Sequence, residues 1–273
     1  MSGEAFSEFE HRGWQHVAER YDSTWSSSTR QFIPPLLDAA QVGPDMALLD
    51  VGCGPGYVSA AAAERGARAI GLDFSSEMLA IARKQFPGIE FREGDAQNLP
   101  FADASFDRVL ANFSFLHLAD PERACAEACR VLKSGGRLAF STWARKEENP
   151  FLQLVDDAIQ AHADLEVDLP PGPPYYLFEN EEEFQSALSR AGFDGASMKF
   201  KVHRIEWQVP SARFIFEAEL KAGVRTTGLL AKQTPEVLRA IQSDLEASIQ
   251  KYAKSDRSFA VPKAAYLVAV AKI

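Results

Sequence analysis

The sequence predicts an α/β fold in which a mostly parallel sheet has helices on both faces. Three observations indicate this fold. Short apolar runs alternate with helical patterns of about ten residues from Ala47 to Trp143, as in βαβ units. Three closely spaced glycines, Gly52, Gly54 and Gly56, link the first apolar run to a helical pattern. Polar residues follow several of the runs, and the carboxyl ends of parallel strands share one edge of a sheet.

The central elements follow in order. The predicted strands are "ALLDV" (47–51), "RAIGLD" (68–73), "IEFREGD" (89–95), "FDRVLANF" (106–113) and "GRLAFSTW" (136–143). Helices are predicted over 57–65, 75–86 and 120–133. The second has a serine cap and ends before Pro87. The third has Pro121 in its first turn and "SGG" after its last, which are typical helix start and stop signals.

Further elements flank this central region. Residues 6–38 are predicted to be helical, with a break near "STWSSST". After Trp143 the predicted elements are a helix over 149–164, a proline-rich loop over 168–178, a helix over 180–193, an alternating strand over 196–209, two or more helices within 211–256 and a buried strand over 263–273.

Composition limits the function classes. The chain has 273 residues, 46% of them hydrophobic, and a formal net charge of -9, so we expect one large globular domain and no nucleic-acid partner. The sequence shows neither an apolar run of ~18 residues nor a signal-peptide pattern. The three cysteines, Cys53, Cys125 and Cys129, favour a reducing, cytoplasmic compartment. Cys125 and Cys129 are interpreted as small core residues, and no metal site is predicted.

The glycine-rich turn indicates a ligand that lies against the backbone, because glycine lets a ligand approach closely. The third glycine of a dinucleotide fingerprint would fall at position 57, which is Tyr57, so that fingerprint is incomplete. Asp73 ends the second strand about twenty residues later, where a carboxylate can accept hydrogen bonds from ribose hydroxyls. The alternative for Asp73 is a helix cap, a role that Ser75 or Ser76 fills more naturally. Asp95, Asn112 and His117 lie at or after the next strand ends.

These motifs resemble those of the class I S-adenosylmethionine-dependent methyltransferases, in particular the small-molecule, methyltransferase type 11-like subfamily. The resemblance rests on "LDVGCGPG", "GLDFSSEML", "GDAQNLPFADASFDRV" and "RVLKSGGRLAFS". It is strong over residues 48–143 and weaker towards both ends. It implies a Rossmann-like seven-stranded sheet whose last strand is antiparallel beside the fifth.

The resemblance also implies an organisation of the chain. Residues 1–273 would form a single methyltransferase domain. Its parts would be a helical N-terminal lid (1–40), a cofactor-binding core (46–145), a helical insert with the sixth strand on the acceptor side (150–260) and the last strand (264–273).

The resemblance assigns S-adenosylmethionine as the cofactor and S-adenosylhomocysteine as its product. Gly52, Gly54 and Gly56, with Asp50 and Cys53, would lie beside the methionine part. Asp73 would hold the ribose. Phe74, Met78, Asp95, Ala96 and Gln97 would surround the adenine, Asn112 and Phe113 would lie near the sulfonium, and Trp14 and Tyr21 would close over the cofactor.

Methyl transfer is an in-line displacement on an activated donor, so orientation of the reactants is the main expected catalytic effect. His117 is the candidate general base, since an imidazole titrates near neutral pH. The alternative is a histidine that only lines the pocket. Trp25, His117, Tyr175, Tyr176 and Phe178 are predicted to contact the acceptor, although the insert's aromatic residues could equally form its own core or an oligomer contact.

The predicted activity is methyl transfer to an oxygen, nitrogen or carbon atom of a small organic molecule. Two alternatives are a cofactor-binding subunit or assembly factor without catalysis and, less favoured, a nicotinamide-dependent oxidoreductase. The expected oligomeric state is a monomer or a homodimer, and no membrane span is expected.

Overall fold

A computed structural model describes residues 2–175 and 180–273 of the chain. The strands are β1 (Ala47–Val51), β2 (Arg68–Asp73), β3 (Glu90–Glu93), β4 (Phe106–Asn112), β5 (Leu132–Trp143), β6 (Phe193–Val209) and β7 (Phe259–Lys272). The α-helices are α1 (Ser2–Ser23), α2 (Ser26–Thr29), α3 (Ile33–Ala39), α4 (Tyr57–Glu64), α5 (Ser76–Gln85), α6 (Pro121–Val131), α7 (Pro150–His162), α8 (Glu181–Arg190), α9 (Ala212–Lys221), α10 (Arg225–Leu230) and α11 (Pro235–Ser248).

The described strands form one seven-stranded sheet in the order β3-β2-β1-β4-β5-β7-β6. Strands β1 to β5 are parallel to one another. β7 is antiparallel to both β5 and β6. The predicted Rossmann-like sheet, with its last strand antiparallel beside the fifth, is confirmed. The parallel strands bring their carboxyl ends to one edge, where the polar residues of the sequence motifs meet.

Helices cover both faces of this sheet. Successive strand residues point to opposite faces, and Leu48 and Leu49 pack accordingly into two different clusters. Leu49 packs with residues of α6 and α8, and Leu48 packs with residues of α3 and α4. A third cluster, centred on the fully buried Trp207, joins β6 to helices α7, α9 and α11. The aromatic residues of the insert therefore form much of its own core.

The predicted break of the N-terminal helical segment near "STWSSST" is found at the turn that follows Ser23. Other boundaries differ from the prediction. The predicted helix 120–133 ends at Val131, because Leu132 already has extended backbone and begins β5. β7 begins at Phe259, earlier than predicted, because the long strand β6 pairs with it as far as Val209. Among the described residues, no helix has both the length and the apolar character needed to cross a bilayer.

Candidate active site

The loop between β1 and α4 contains three glycines in the left-handed backbone region, with φ of 64° at Gly52, 50° at Gly54 and 87° at Gly56. Their surroundings differ. A Cβ at Gly52 would lie 2.3 Å from the Ser114 side chain, and one at Gly56 would lie 2.7 Å from Phe91. A Cβ at Gly54 would approach only the Met78 sulfur, at 4.0 Å. Packing therefore requires two of the glycines, whereas Gly54 keeps a space open.

That space belongs to a cavity of about 430 Å³ at the carboxyl edge of the sheet, called the main cavity here. It is lined by the loop, by the ends of β2 and β4 and by α1. Most of the residues that the sequence assigned to the cofactor line it. They are Trp14, Tyr21, Gly52, Cys53, Gly54, Asp73, Phe74, Met78, Asp95, Ala96, Gln97, Asn112 and Phe113.

Asp73 is the buried acidic group of the main cavity, with 5% of its surface exposed. Its Oδ2 accepts a hydrogen bond from the Gly54 amide at 2.8 Å, and its Oδ1 accepts one from the Ser75 amide at 2.9 Å. Burial raises the pKa of Asp73 to about 6. A carboxylate has about four acceptor positions, so both oxygens can accept a further hydrogen bond from a ligand in the cavity.

Asp50 and Gly56 do not line the main cavity. Asp50 is fully buried beneath the glycine loop. Its Oδ2 accepts hydrogen bonds from the amide and the hydroxyl of Ser59, at 2.9 and 2.7 Å. Ser59 lies in the first turn of α4, so Asp50 ties that helix to β1. With no exposed surface, the Asp50 side chain cannot contact a ligand in this cavity.

Burial raises the pKa of Asp50 to about 7 from 3.8, which makes a pH-dependent stability prediction possible. Between those two values the native carboxyl keeps a proton that the unfolded chain has released, so the free energy of unfolding falls as pH rises. An Asp50→Asn variant has no titrating group here, and its amide oxygen can still accept from Ser59. As pH rises from about 4 to about 8, we expect the free energy of unfolding of the variant to increase by about 2–4 kcal/mol relative to that of the wild type. Urea unfolding at both pH values measures this difference, and an unchanged difference would contradict the assignment.

The end of β4 is held in an ordered arrangement. The Asn112 Oδ1 accepts a hydrogen bond from the Ser141 hydroxyl at 2.6 Å, and the Asn112 Nδ2 donates to the Thr29 carbonyl at 3.3 Å. Phe113 follows with a φ of 57°, and its ring stacks on Trp143 at 4.0 Å between centroids. Asn112 and Phe113 therefore present a fixed polar group and a fixed ring to the main cavity.

Helix α1 lies along the main cavity and is attached to its rim. The Gln15 side-chain oxygen accepts hydrogen bonds from the Ser75 hydroxyl at 2.8 Å and from the Glu77 amide at 3.0 Å. The Trp14 ring makes edge contacts with Tyr21 and with His117, with centroids 5.3 and 4.8 Å apart. The aromatic residues of the N-terminal segment thus form one wall of the cavity.

A second, smaller cavity of about 80 Å³ adjoins the main one and is called the side cavity here. The two share Trp14, Tyr21, Thr29, Phe113 and His117. Of the residues predicted to contact an acceptor, Trp25, His117 and Tyr175 line the side cavity. Tyr176 and Phe178 lie outside the described residues.

Four charged residues near these cavities were not found by the sequence analysis. Glu10 and Lys263 are fully buried, and Glu219 is almost so. Arg225 and Glu219 line the side cavity. The Lys263 amine donates to the Ser28 hydroxyl at 3.0 Å and lies 4.3–4.5 Å from the centroids of four aromatic rings. Burial lowers the pKa of Lys263 and raises that of Glu219 to about 7. Of these four residues, only Lys263 has a signal in the sequence, because it lies within an apolar run.

Comparisons with known proteins point to one family. Residues 49–140 match the family model described as "Methyltransferase domain". Demethylmenaquinone methyltransferase of Renibacterium salmoninarum is 37% identical over 139 residues, which are 50% of this chain and 59% of that protein. The chain thus spans less than two thirds of that relative's length.

Two solved structures show the same fold at low sequence identity. The YcgJ protein of Bacillus subtilis has a TM-score of 0.57 and 18% identity, over 89% of this chain and 98% of that one. Phosphoethanolamine N-methyltransferase 2 of Haemonchus contortus, in complex with S-adenosyl-L-methionine, has a TM-score of 0.52 and 20% identity. The match covers 89% of this chain and 52% of that one. With the family match, these findings confirm the resemblance seen in the sequence motifs. Residues 49–140 of the chain therefore form a methyltransferase domain.

Proposed function

We propose that this protein transfers a methyl group from S-adenosylmethionine to a small organic acceptor and releases S-adenosylhomocysteine. One observation carries the proposal: in a methyltransferase domain, the open Gly54 position, the buried Asp73 carboxylate and the fixed Asn112–Phe113 pair line the same cavity. The acceptor atom is an oxygen, a nitrogen or a carbon.

The residues present fit this cofactor. A volume of about 430 Å³ is within the ordinary range of small-molecule sites. Asp73 offers acceptor positions to hydroxyl groups, and the space at Gly54 admits a ligand against the backbone. The rings of Trp14, Tyr21 and Phe113 line the cavity, and aromatic faces attract a sulfonium cation.

The proposed contacts follow the sequence motifs. Asp73 would bind the ribose, Asp95 would accept from the adenine amino group, and Asn112 would lie near the sulfonium. The other proposed contacts are Gly52, Cys53 and Gly54 along the methionine part, Phe74, Met78, Ala96 and Gln97 around the adenine, and Trp14, Tyr21 and Phe113 over the reacting end.

S-adenosylmethionine, when bound, supplies a methyl group whose bond to sulfur breaks as its bond to the acceptor forms. The protein's task is then to align the two reactants and to exclude water. Correct alignment alone can lower a barrier by about 7–11 kcal/mol. We propose residues 1–40 as the segment that closes over the cofactor, because α1 already forms a wall of the main cavity.

We propose the side cavity as the acceptor site. We also propose residues 150–260 as the acceptor side of the chain, since this segment contributes to the lining of the side cavity. Tyr175, Glu219 and Arg225 of this segment line it, together with Trp25 and Trp143. Its aromatic walls suit a flat ring. The R. salmoninarum relative is named for demethylmenaquinone, so a quinol is a reasonable first acceptor to test.

Two measurements test the function. Calorimetry with S-adenosylmethionine and with S-adenosylhomocysteine should show binding of both. NAD is measured in the same way, because the oxidoreductase alternative predicts that it binds instead. Transfer of labelled methyl groups should then occur to at least one member of a panel of phenols, amines, quinols and carboxylic acids. Cofactor binding without transfer to any acceptor would favour a non-catalytic role, and binding of NAD alone would overturn the proposal.

A further inference from the structure

We propose that Glu10 is a positioning residue that holds His117 ready to accept the proton of an aromatic hydroxyl acceptor. This inference rests on the proposed methyl transfer and deepens it by naming the acceptor class. It assigns a role to a buried carboxylate that no sequence motif indicates.

The geometry around Glu10 is the first step. Glu10 comes from α1 and is fully buried. Its Oε2 accepts a hydrogen bond from the Trp14 indole at 3.0 Å and lies 3.2 Å from the Nδ1 of His117. The Arg225 Nε lies 3.9 Å from its Oε1. Three segments that are distant in sequence therefore meet at this one carboxylate, and an arginine balances its charge.

The second step concerns the proton on His117. In this arrangement the Glu10 Oε2 accepts from His117 as it does from the Trp14 indole, so the nitrogen that faces Glu10 carries the hydrogen. The hydrogen bond at one ring nitrogen fixes which nitrogen is protonated. Glu10 thus leaves the Nε2 of His117 bare, as the carboxylate does in a Ser-His-Asp triad. The His117 side chain keeps 19% exposure and lies where the main and side cavities meet.

The third step concerns the acceptor. Trp25, Phe113, Trp143 and Tyr175 line the side cavity, and such walls favour a planar ring. A phenol-type hydroxyl has a pKa of about 10, so it arrives protonated at neutral pH and is a weak nucleophile until its proton is removed. In the proposed step the O–H bond breaks, the electron pair stays on oxygen and the proton binds Nε2. Glu10 then faces an imidazolium and stabilises it.

The first test reads the histidine without any acceptor. Nitrogen-15 NMR of the ring of His117 should show a protonated Nδ1 and a bare Nε2 in the wild type. Glu10→Leu should change this to a mixture of tautomers, while Glu19→Gln, an exposed position on the same helix, should leave it unchanged. A bare Nδ1 in the wild-type protein would overturn the proposal.

The second test uses turnover, with Glu10→Gln as an uncharged variant of the same shape. With 2-naphthol, a phenol of ordinary acidity, we expect kcat to fall about 10–100-fold and KM to change less than about threefold. Loss of the general base itself costs about 10²–10⁴-fold, and Glu10→Gln should cost less because His117 is still present. With 4-nitrophenol, which is largely ionised above neutral pH, kcat should change little. The double variant Glu10→Gln/His117→Gln should lose no more activity than the single variant His117→Gln, because the two residues act as one unit.

The outcomes separate this inference from the proposed function. Wild-type turnover on amines but on neither phenol would overturn the acceptor class. An equal loss of kcat on both phenols would overturn the positioning role. Failure of the wild type to bind S-adenosylmethionine at all would overturn the proposed function itself, which the cofactor calorimetry shows independently of any acceptor.

Discussion

Asp73→Ala is expected to weaken the binding of S-adenosylmethionine about 100-fold or more. The carboxylate has no more than 5% exposure and lies at the rim between β2 and the glycine loop. A hydrogen bond to a charged group contributes about 1.5–3 kcal/mol, and two ribose hydroxyls would lose such a partner. The variant also frees the Gly54 amide, which the carboxylate holds at 2.8 Å. Calorimetry with S-adenosylhomocysteine, the unreactive product, gives the affinity directly.

The control for this variant is Asp50→Asn, which alters another buried carboxylate of the same region outside the cavity. Its affinity for S-adenosylhomocysteine should stay within about threefold of the wild type, because Asp50 acts on α4 through Ser59.

The pKa of Asp73 also leads to a prediction about pH. Its pKa of about 6 in the free protein means that wild-type affinity should fall as pH drops below that value, and Asp73→Ala should lack this fall. Unchanged affinity in a folded Asp73→Ala protein would remove Asp73 from the proposed site.

The central sheet could be predicted because its signals are local. The strand from Ala47 to Val51 and the glycine turn after it are short-range patterns, and parallel strands bring their ends to one edge by topology alone. The same reasoning assigned Asp73 and Asn112 to a common rim, and both line the main cavity. The family resemblance, by contrast, placed Asp50 beside the ligand, whereas Asp50 is buried beneath the loop in the structure.

The charged residues around the side cavity could not be predicted, because their roles depend on contacts between distant segments. Glu10 is one acidic residue on a helix with several others, and only the packing of α1 brings its carboxylate to His117 and Arg225. Lys263 pairs with Ser28 across 235 positions of sequence. Periodicity identifies which face of a helix is apolar, but it does not show which buried polar groups meet.

Gly54→Val is expected to abolish measurable cofactor binding, with a loss of affinity of at least about 100-fold. A branched side chain in the left-handed region is strained, and at this position it would also extend into the main cavity. The backbone leaves that space free, since the nearest atom to an added Cβ is the Met78 sulfur at 4.0 Å. The folded protein could therefore hold the side chain, but a ligand could no longer lie against the loop. Calorimetry with S-adenosylhomocysteine measures the loss.

The variant Gly135→Val is the control for the effect of backbone strain alone. Gly135 lies in β5 with a φ of 72°, and a Cβ there would have no neighbour within 4 Å. Both variants should lose similar stability, on the order of 1–2 kcal/mol or somewhat more for a left-handed β-branched residue, so their melting temperatures should fall together. Only Gly54→Val should lose cofactor affinity, because Gly135 does not line the cavity. Equal affinities in the two variants would show that the cofactor does not approach the backbone at Gly54, and the binding mode proposed for the glycine loop would then be wrong.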